Sequence, residues 1–178
     1  MKKSVIFLIL LVAVSILAVF QPSVPTTIVT EGINSGDTAW MLAATALVLL
    51  MTPGLAYFYG GMIDTKNIIS TMLQSFIAMG VISVLWIVVG FSLAFGDSMG
   101  GFIGDPSTFF MFNNVLDGKP WELAPTIPLV LFAFFQLKFA IITPALVTGT
   151  FAERIKFKSY ILFLVLFSLF IYAPLAHM

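Results

Sequence analysis

The sequence predicts an all-α polytopic membrane protein, and three observations carry that prediction. Of its 178 residues, 60% are hydrophobic and only 9% are charged, where about a quarter are charged in soluble domains. The mean hydropathy is +1.11. The apolar residues gather into five long stretches, none with the every-second-residue alternation of a barrel strand. A chain in lipid must satisfy its backbone hydrogen bonds internally, and for such stretches that means helix.

The first stretch, Ser4 to Phe20, follows Lys2 and Lys3. A basic start before a short apolar run resembles a secretory signal, so residues 1–22 are expected to be a signal peptide or a signal anchor. Cleavage near Ala18 or Ser23 and retention as an anchor are both open. Either way, residues 21–39 begin on the outer side of the plasma membrane.

The four helices that follow are expected at about 40–63, 68–96, 123–152 and 160–176, close to or beyond the ~20 residues that cross a hydrocarbon core. Their connections sort by charge. Lys66, Arg154, Lys156 and Lys158 fall on the side that already holds Lys2 and Lys3, which the positive-inside rule makes cytoplasmic. The outer segment from Asp97 to Thr126 is rich in Gly, Asp, Asn and Pro and reads as a loop, with Phe109, Phe110, Phe112 and Trp121 at the membrane interface.

Several functions are disfavoured. Eight acidic and eight basic residues cancel, so nothing points to nucleic acid. Without cysteine there is no disulfide or thiolate site, and one histidine does not make an ordinary histidine metal centre. No nucleophile and base pair appears, so the sequence calls for neither an enzyme nor a cofactor.

Two motifs carry mechanism. In MTPGLAYFYGG, residues 51–61, Pro53 removes an amide while Gly54, Gly60 and Gly61 permit close helix approach. In FFQLKFAIITP, residues 134–144, Phe135 and Phe139 lie four apart and project from one helix face. That row suits either ordinary packing or a narrow apolar constriction able to attract a cation. Between them lie Gln136 and Lys138. With a helix over 126–150, Lys138 is about 18 Å from each end, too deep to snorkel, and no carboxylate in the chain is placed to meet it.

The blocks MLAATALVLLMTPGLAYFYGGMIDTKN, LWIVVGFSLAFGD, FQLKFAIITPALVTGTFAERIKF and YAPLAHM together resemble the ammonium transporter family (Amt, Mep and the related Rh proteins), over residues 40–178. The resemblance implies a partial ammonium transporter domain: the first four helices of an eleven-helix fold whose first ten helices form two inverted repeats of five. It implies transport of ammonium or ammonia across the bilayer by a homotrimer with one pore per subunit, and brings in a cytoplasmic PII-type regulator as a candidate partner. Phe139 matches the outer ring of the hydrophobic gate, Phe135 an aromatic of the outer vestibule, and Gln136 the polar residue between them. Asn67, in the KN that follows GLAYFYGG, belongs with Pro53, Gly60 and Gly61 to structure. His177 matches a histidine near the outer end of the fourth family helix, in a packing or interface role. Lys138 departs from the small neutral residue of family members and is expected to face a neighbouring helix or the subunit interface.

The family's recruitment-site tryptophan, its buried aspartate and its twin pore histidines would all follow Met178. The chain is therefore expected to be an N-terminal fragment that is inactive alone. An ammonium sensor of the same family and a non-transporting scaffold or partner subunit are the alternatives.

Overall fold

The computed structural model describes residues 32–178, so the leader expected over residues 1–22 lies outside the described residues. Four helical spans, Ser35–Gly60, Thr65–Phe95, Leu129–Phe151 and Phe157–His177, are each long and apolar enough to cross a bilayer.

The first span is one helix, α1 (Ser35–Gly60), and begins ahead of the expected Trp40. Asn34 explains the early start. Its Oδ1 accepts the amides of Gly36 at 2.8 Å and Asp37 at 3.2 Å, satisfying donors that the first helical turn leaves free. The Asn34 amide donates to the Thr126 carbonyl at 2.8 Å, which ties the head of this span to the end of the outer connection. Pro53 lies within α1, where it has no amide to offer the Leu49 carbonyl.

The second span is composite: a 3₁₀ turn (Thr65–Asn67), α2 (Ile68–Leu85), a π turn (Trp86–Gly90) and α3 (Phe91–Phe95). The third is α4 (Leu129–Phe151), with Pro144 inside it. The fourth repeats the plan of the second, with α5 (Phe157–Phe167), a π turn (Ser168–Tyr172) and α6 (Ala173–His177). Each π turn is a local widening of the helix around an extra residue.

The outer connection is more ordered than the loop expected from its composition. Strands β1 (Ser98–Met99) and β2 (Ile103–Gly104) pair antiparallel, as do β3 (Pro120–Trp121) and β4 (Ala124–Pro128). Gly100 at φ +69° and Gly101 at φ +76° supply the left-handed backbone of the first hairpin. Because β4 occupies residues 124–128, the third helix starts at Leu129 and not near Leu123.

Phe112 departs from the interfacial position expected of it. It is buried, stacking edge-on against Phe91 at 5.7 Å and Phe134 at 6.0 Å, while Phe110 beside it is 52% exposed.

Helix α1 packs on α2 and α4, and α2 packs on α4 and α5. In lipid such packing is driven by close contact and interhelical hydrogen bonds, because the surroundings are as apolar as the side chains. Trp86 supplies both. Its ring meets Phe91 at 5.8 Å, Phe95 at 6.2 Å and Tyr172 at 6.2 Å, and its Nε1 donates to the Ala133 carbonyl at 3.1 Å. Nearer the N-terminal ends of the second and fourth spans, the Tyr160 hydroxyl donates to the Gln74 carbonyl at 3.1 Å and accepts from Thr148 at 3.4 Å.

The glycines divide into two kinds. A Cβ on Gly60 would lie 3.0 Å from Met72, and one on Gly149 would lie 2.7 Å from the Tyr59 ring, so both helices approach through these gaps. Gly54 does not serve that purpose among the described residues: nothing lies within 4 Å of where its Cβ would be. Gly61 meets only the carbonyls of its own helix, at 3.6 Å.

Candidate functional site

Helix α4 carries the residues singled out by the sequence, and the helical repeat sorts them into rows. Phe135 and Phe139 stack edge-to-face at 5.1 Å between ring centroids, both half-buried. One turn further along the row, the Thr143 hydroxyl donates to the Phe139 carbonyl at 2.7 Å. Pro144 follows and has no amide for the Ala140 carbonyl, so the helix here combines a missing bond with a hydroxyl that bonds back one turn.

Beside this row lies a hollow of about 350 Å³, lined by Thr143 from the third span and by Phe167, Ile171, Tyr172, Leu175 and Ala176 from the fourth. Two aromatic rings therefore lead along one helix face to a hydroxyl at the edge of an apolar cavity. Such a face can hold a cation against its rings outside and offers only apolar walls further in. Gln136 is half-buried next to Phe135.

Lys138 belongs to the adjacent row. Its Nζ lies 5.9 Å from the centroid of the Phe134 ring, one turn before it. With α4 beginning at Leu129, Lys138 is about 14 Å from the start of the helix and about 20 Å from its end, nearer the start than the symmetric placement expected. Among the described residues no carboxylate lies within 4 Å of it; the two ion pairs are Lys66–Asp64 at 3.4 Å and Lys119–Asp117 at 3.9 Å, both in connections.

His177 closes the C-terminal end of the fourth span. Its Nδ1 lies 3.2 Å from the Ala94 carbonyl and its Nε2 lies 3.0 Å from the Ser98 hydroxyl. With Nδ1 protonated, the ring donates to Ala94 and accepts from Ser98, whose oxygen also accepts the Gly101 amide at 3.1 Å. The ring joins α6 to α3 and the first hairpin.

On the opposite side, the Asn67 side-chain amide donates to Glu153 Oε1 at 2.8 Å, and the same oxygen accepts the Asp64 backbone amide at 3.1 Å. The structure thus spreads these residues over three places: the Phe135–Phe139 row, the His177 clasp at one end of the bundle and the Asn67 clasp at the other.

Sequence reasoning missed Glu153, Trp86, Tyr59 and Thr143 as organising residues. Thr143 was accessible, since it continues the i, i+4 row from Phe135 and Phe139. The partners of the other three lie on different helices or connections, for which the local pattern holds no signal. Tyr59, for example, donates to the Leu146 carbonyl at 2.6 Å, 87 positions away.

Four helical spans, two with an internal proline and two with a π turn, each long and apolar enough to cross a bilayer, define a multi-pass helical membrane protein. The sequence signature of the Ammonium Transporter Family matches residues 39–178, and the chain belongs to that family. It is 46% identical over 157 residues to the ammonium transporter of Mycobacterium tuberculosis, covering 81% of this chain and 33% of the relative. It is 48% identical over 146 residues to a putative ammonium transporter of Methanothermobacter thermautotrophicus, covering 82% of this chain and 35% of the relative. Its fold superposes on Saccharomyces cerevisiae Mep2 with a TM-score of 0.73 at 32% identity, over 83% of this chain and 32% of Mep2. A solved structure described as a sensor Amt protein gives a TM-score of 0.69 at 30% identity, over 78% of this chain and 32% of that one. The chain thus spans about a third of the length of these relatives.

Proposed function

We propose that this chain forms the outer part of an ammonium transport pathway, in which Phe135 and Phe139 receive the cation and begin the apolar passage. The single observation that carries the proposal is the edge-to-face pair at 5.1 Å, in a row that runs on to Thr143 and the 350 Å³ hollow. Aromatic faces replace part of the hydration shell of ammonium. An apolar passage then disfavours the charged form, so proton loss is favoured there and neutral ammonia passes the rings.

The remaining residues hold this face in place. Gln136 supports the pathway, while Lys138, on the neighbouring row, serves packing or a subunit interface. Pro53, Gly60, Gly61, Asn67 and His177 are structural. Lys66, Arg154, Lys156 and Lys158 on one side of the spans support an orientation in the plasma membrane with those connections inside and residues 21–39 starting outside. The parent protein is a homotrimer with a PII-type regulator at the inner face, and the 178-residue chain alone does not transport.

Growth at low ammonium of cells lacking their own ammonium uptake tests this reading. The full-length parent restores growth, its Phe139→Ala variant restores it less well, and the 178-residue chain does not. Undiminished growth with Phe139→Ala overturns the gate assignment; growth with the short chain overturns its dependence on the remainder. A second reading, an ammonium sensor, draws on the likeness to the sensor Amt structure. A cytoplasmic signalling domain in the parent gene decides for it.

A further inference from the structure

We infer that the bundle holds internal water on α2, bonded to the Gln74 side-chain oxygen and the Ser75 hydroxyl. The inference does not depend on what the pathway carries. Gln74 is 8% exposed and Ser75 1%, and their Oε1 and Oγ atoms have no hydrogen-bond partner among the described residues. A buried polar atom left dry and unpaired costs more than an ordinary hydrogen bond gains, so such atoms in native folds pair with protein or with water. The chain follows that rule elsewhere. Buried Ser92 accepts the Phe109 amide at 2.8 Å, and Thr148, Tyr160 and the Gln74 carbonyl bond in series.

The two open atoms belong to a polar layer to which all four spans contribute. Thr52 of α1, Thr71, Gln74 and Ser75 of α2, Thr148 of α4 and Tyr160 of α5 are buried, and each lies within about 12 Å, along its own helix, of the end fastened by the Asn67–Glu153 clasp. The chemistry of this layer selects the occupant. An amide oxygen only accepts, so its partner brings a donor hydrogen; with the amide turned over the partner accepts instead, and water serves either way. The partner is neutral, because none of the six residues is a carboxylate and an unbalanced charge is expensive to bury. It is also small. Both atoms are closed off from the surface of the chain, so a helix that follows Met178 does not reach them without opening the bundle. Water meets all three conditions and commonly joins buried polar groups that lack a protein partner.

A structure of the unaltered full-length parent, from crystals grown without ammonium and diffracting well enough to show ordered water, tests the site. Water is expected at about 2.7–3.2 Å from Gln74 Oε1 and from Ser75 Oγ. A dry layer overturns the proposal, as does a Ser75 hydroxyl turned onto the Thr71 carbonyl of its own helix. Density that appears only when ammonium is supplied would make the occupant substrate, and overturns it too. Thermal unfolding of the parent reads the same point through a sign. If the two atoms hold water, Ser75→Ala and Gln74→Met each leave that water short of a partner, and Tm falls by at least about 2 °C. If they are unpaired, each substitution removes a desolvated polar group, and a Tm that stays or rises overturns the proposal.

Discussion

Asn67 and Glu153 are 86 positions apart, yet the amide of one donates to the carboxylate of the other at 2.8 Å, fastening together the connections that follow the first and third spans. Glu153 adopts φ +66°, a left-handed backbone that a residue with a Cβ enters only at a cost of about 1–2 kcal/mol. The contact with Asn67 and with the Asp64 amide offsets that strain. Glu153→Gln, which keeps the accepting oxygen, should melt in detergent close to the parent, and Glu153→Ala should melt lower. Asn67→Ala and Glu153→Ala should be coupled by about 0.5–1.5 kcal/mol in a double-mutant cycle. Strictly additive effects would show the clasp to be energetically idle.

Gly149→Ala should destabilise the α1–α4 contact. The new methyl would lie 2.7 Å from the Tyr59 ring, so the ring must move and its hydrogen bond to the Leu146 carbonyl stretches or breaks. An overpacked site of this kind costs about 1–3 kcal/mol. Adding Tyr59→Leu removes the clash, so the double variant should lose less stability than the two single losses summed. Thermal unfolding of the purified chain measures all three; an unchanged Gly149→Ala would contradict the tight approach.

Lys138→Met separates the two rows of α4. The proposed pathway follows the Phe135–Phe139 row, whereas the Lys138 ammonium lies by Phe134 on the adjacent row. In the full-length parent the substitution should alter thermal stability or subunit assembly and leave ammonium selectivity in the uptake assay within about twofold, below the smallest single-contact effects. Lost selectivity in an intact assembly would put Lys138 in the pathway.

The loop between the second and third spans carries a pH dependence with a definite sign. The backbone amide of Ser107, and next its hydroxyl, donate to Asp105 and hold its carboxyl below the ordinary range. Its stabilising contribution is therefore complete above the unfolded value of about 4 and is lost as pH falls through the lower folded value. Ser107→Ala removes the hydroxyl and keeps the amide, so the Asp105 titration should move part of the way back up. Carbon-13 NMR of the carboxyl reads this directly; no movement would mean that the hydroxyl does not contribute.

The parts legible in the sequence are those governed by short-range repeats. Hydropathy located the four spans, and the i, i+4 spacing brought Phe135 to Phe139. Single-residue signals were less dependable. Gly149 and Gly54 look alike in sequence, but one meets a tyrosine ring and the other meets nothing within 4 Å, because the difference belongs to the neighbouring helix. Phe112 read as interfacial from its loop composition, yet the local turn carries it under Phe91. The Asn67–Glu153 clasp needed both connections at once, and no local pattern relates residues so far apart.

The two π turns touch: Trp86 from the first and Tyr172 from the second meet edge-on at 6.2 Å. Each turn carries one residue beyond the regular α-helical count, advancing everything outward of it by about 100°. The second and fourth spans thus change phase at the same level, so α3 and α6 still present matching sides to each other. Deleting one residue from either turn would leave its partner out of step, whereas deleting one from both would restore the match. Among related sequences, single-residue gaps at these two places should accordingly come and go as a pair.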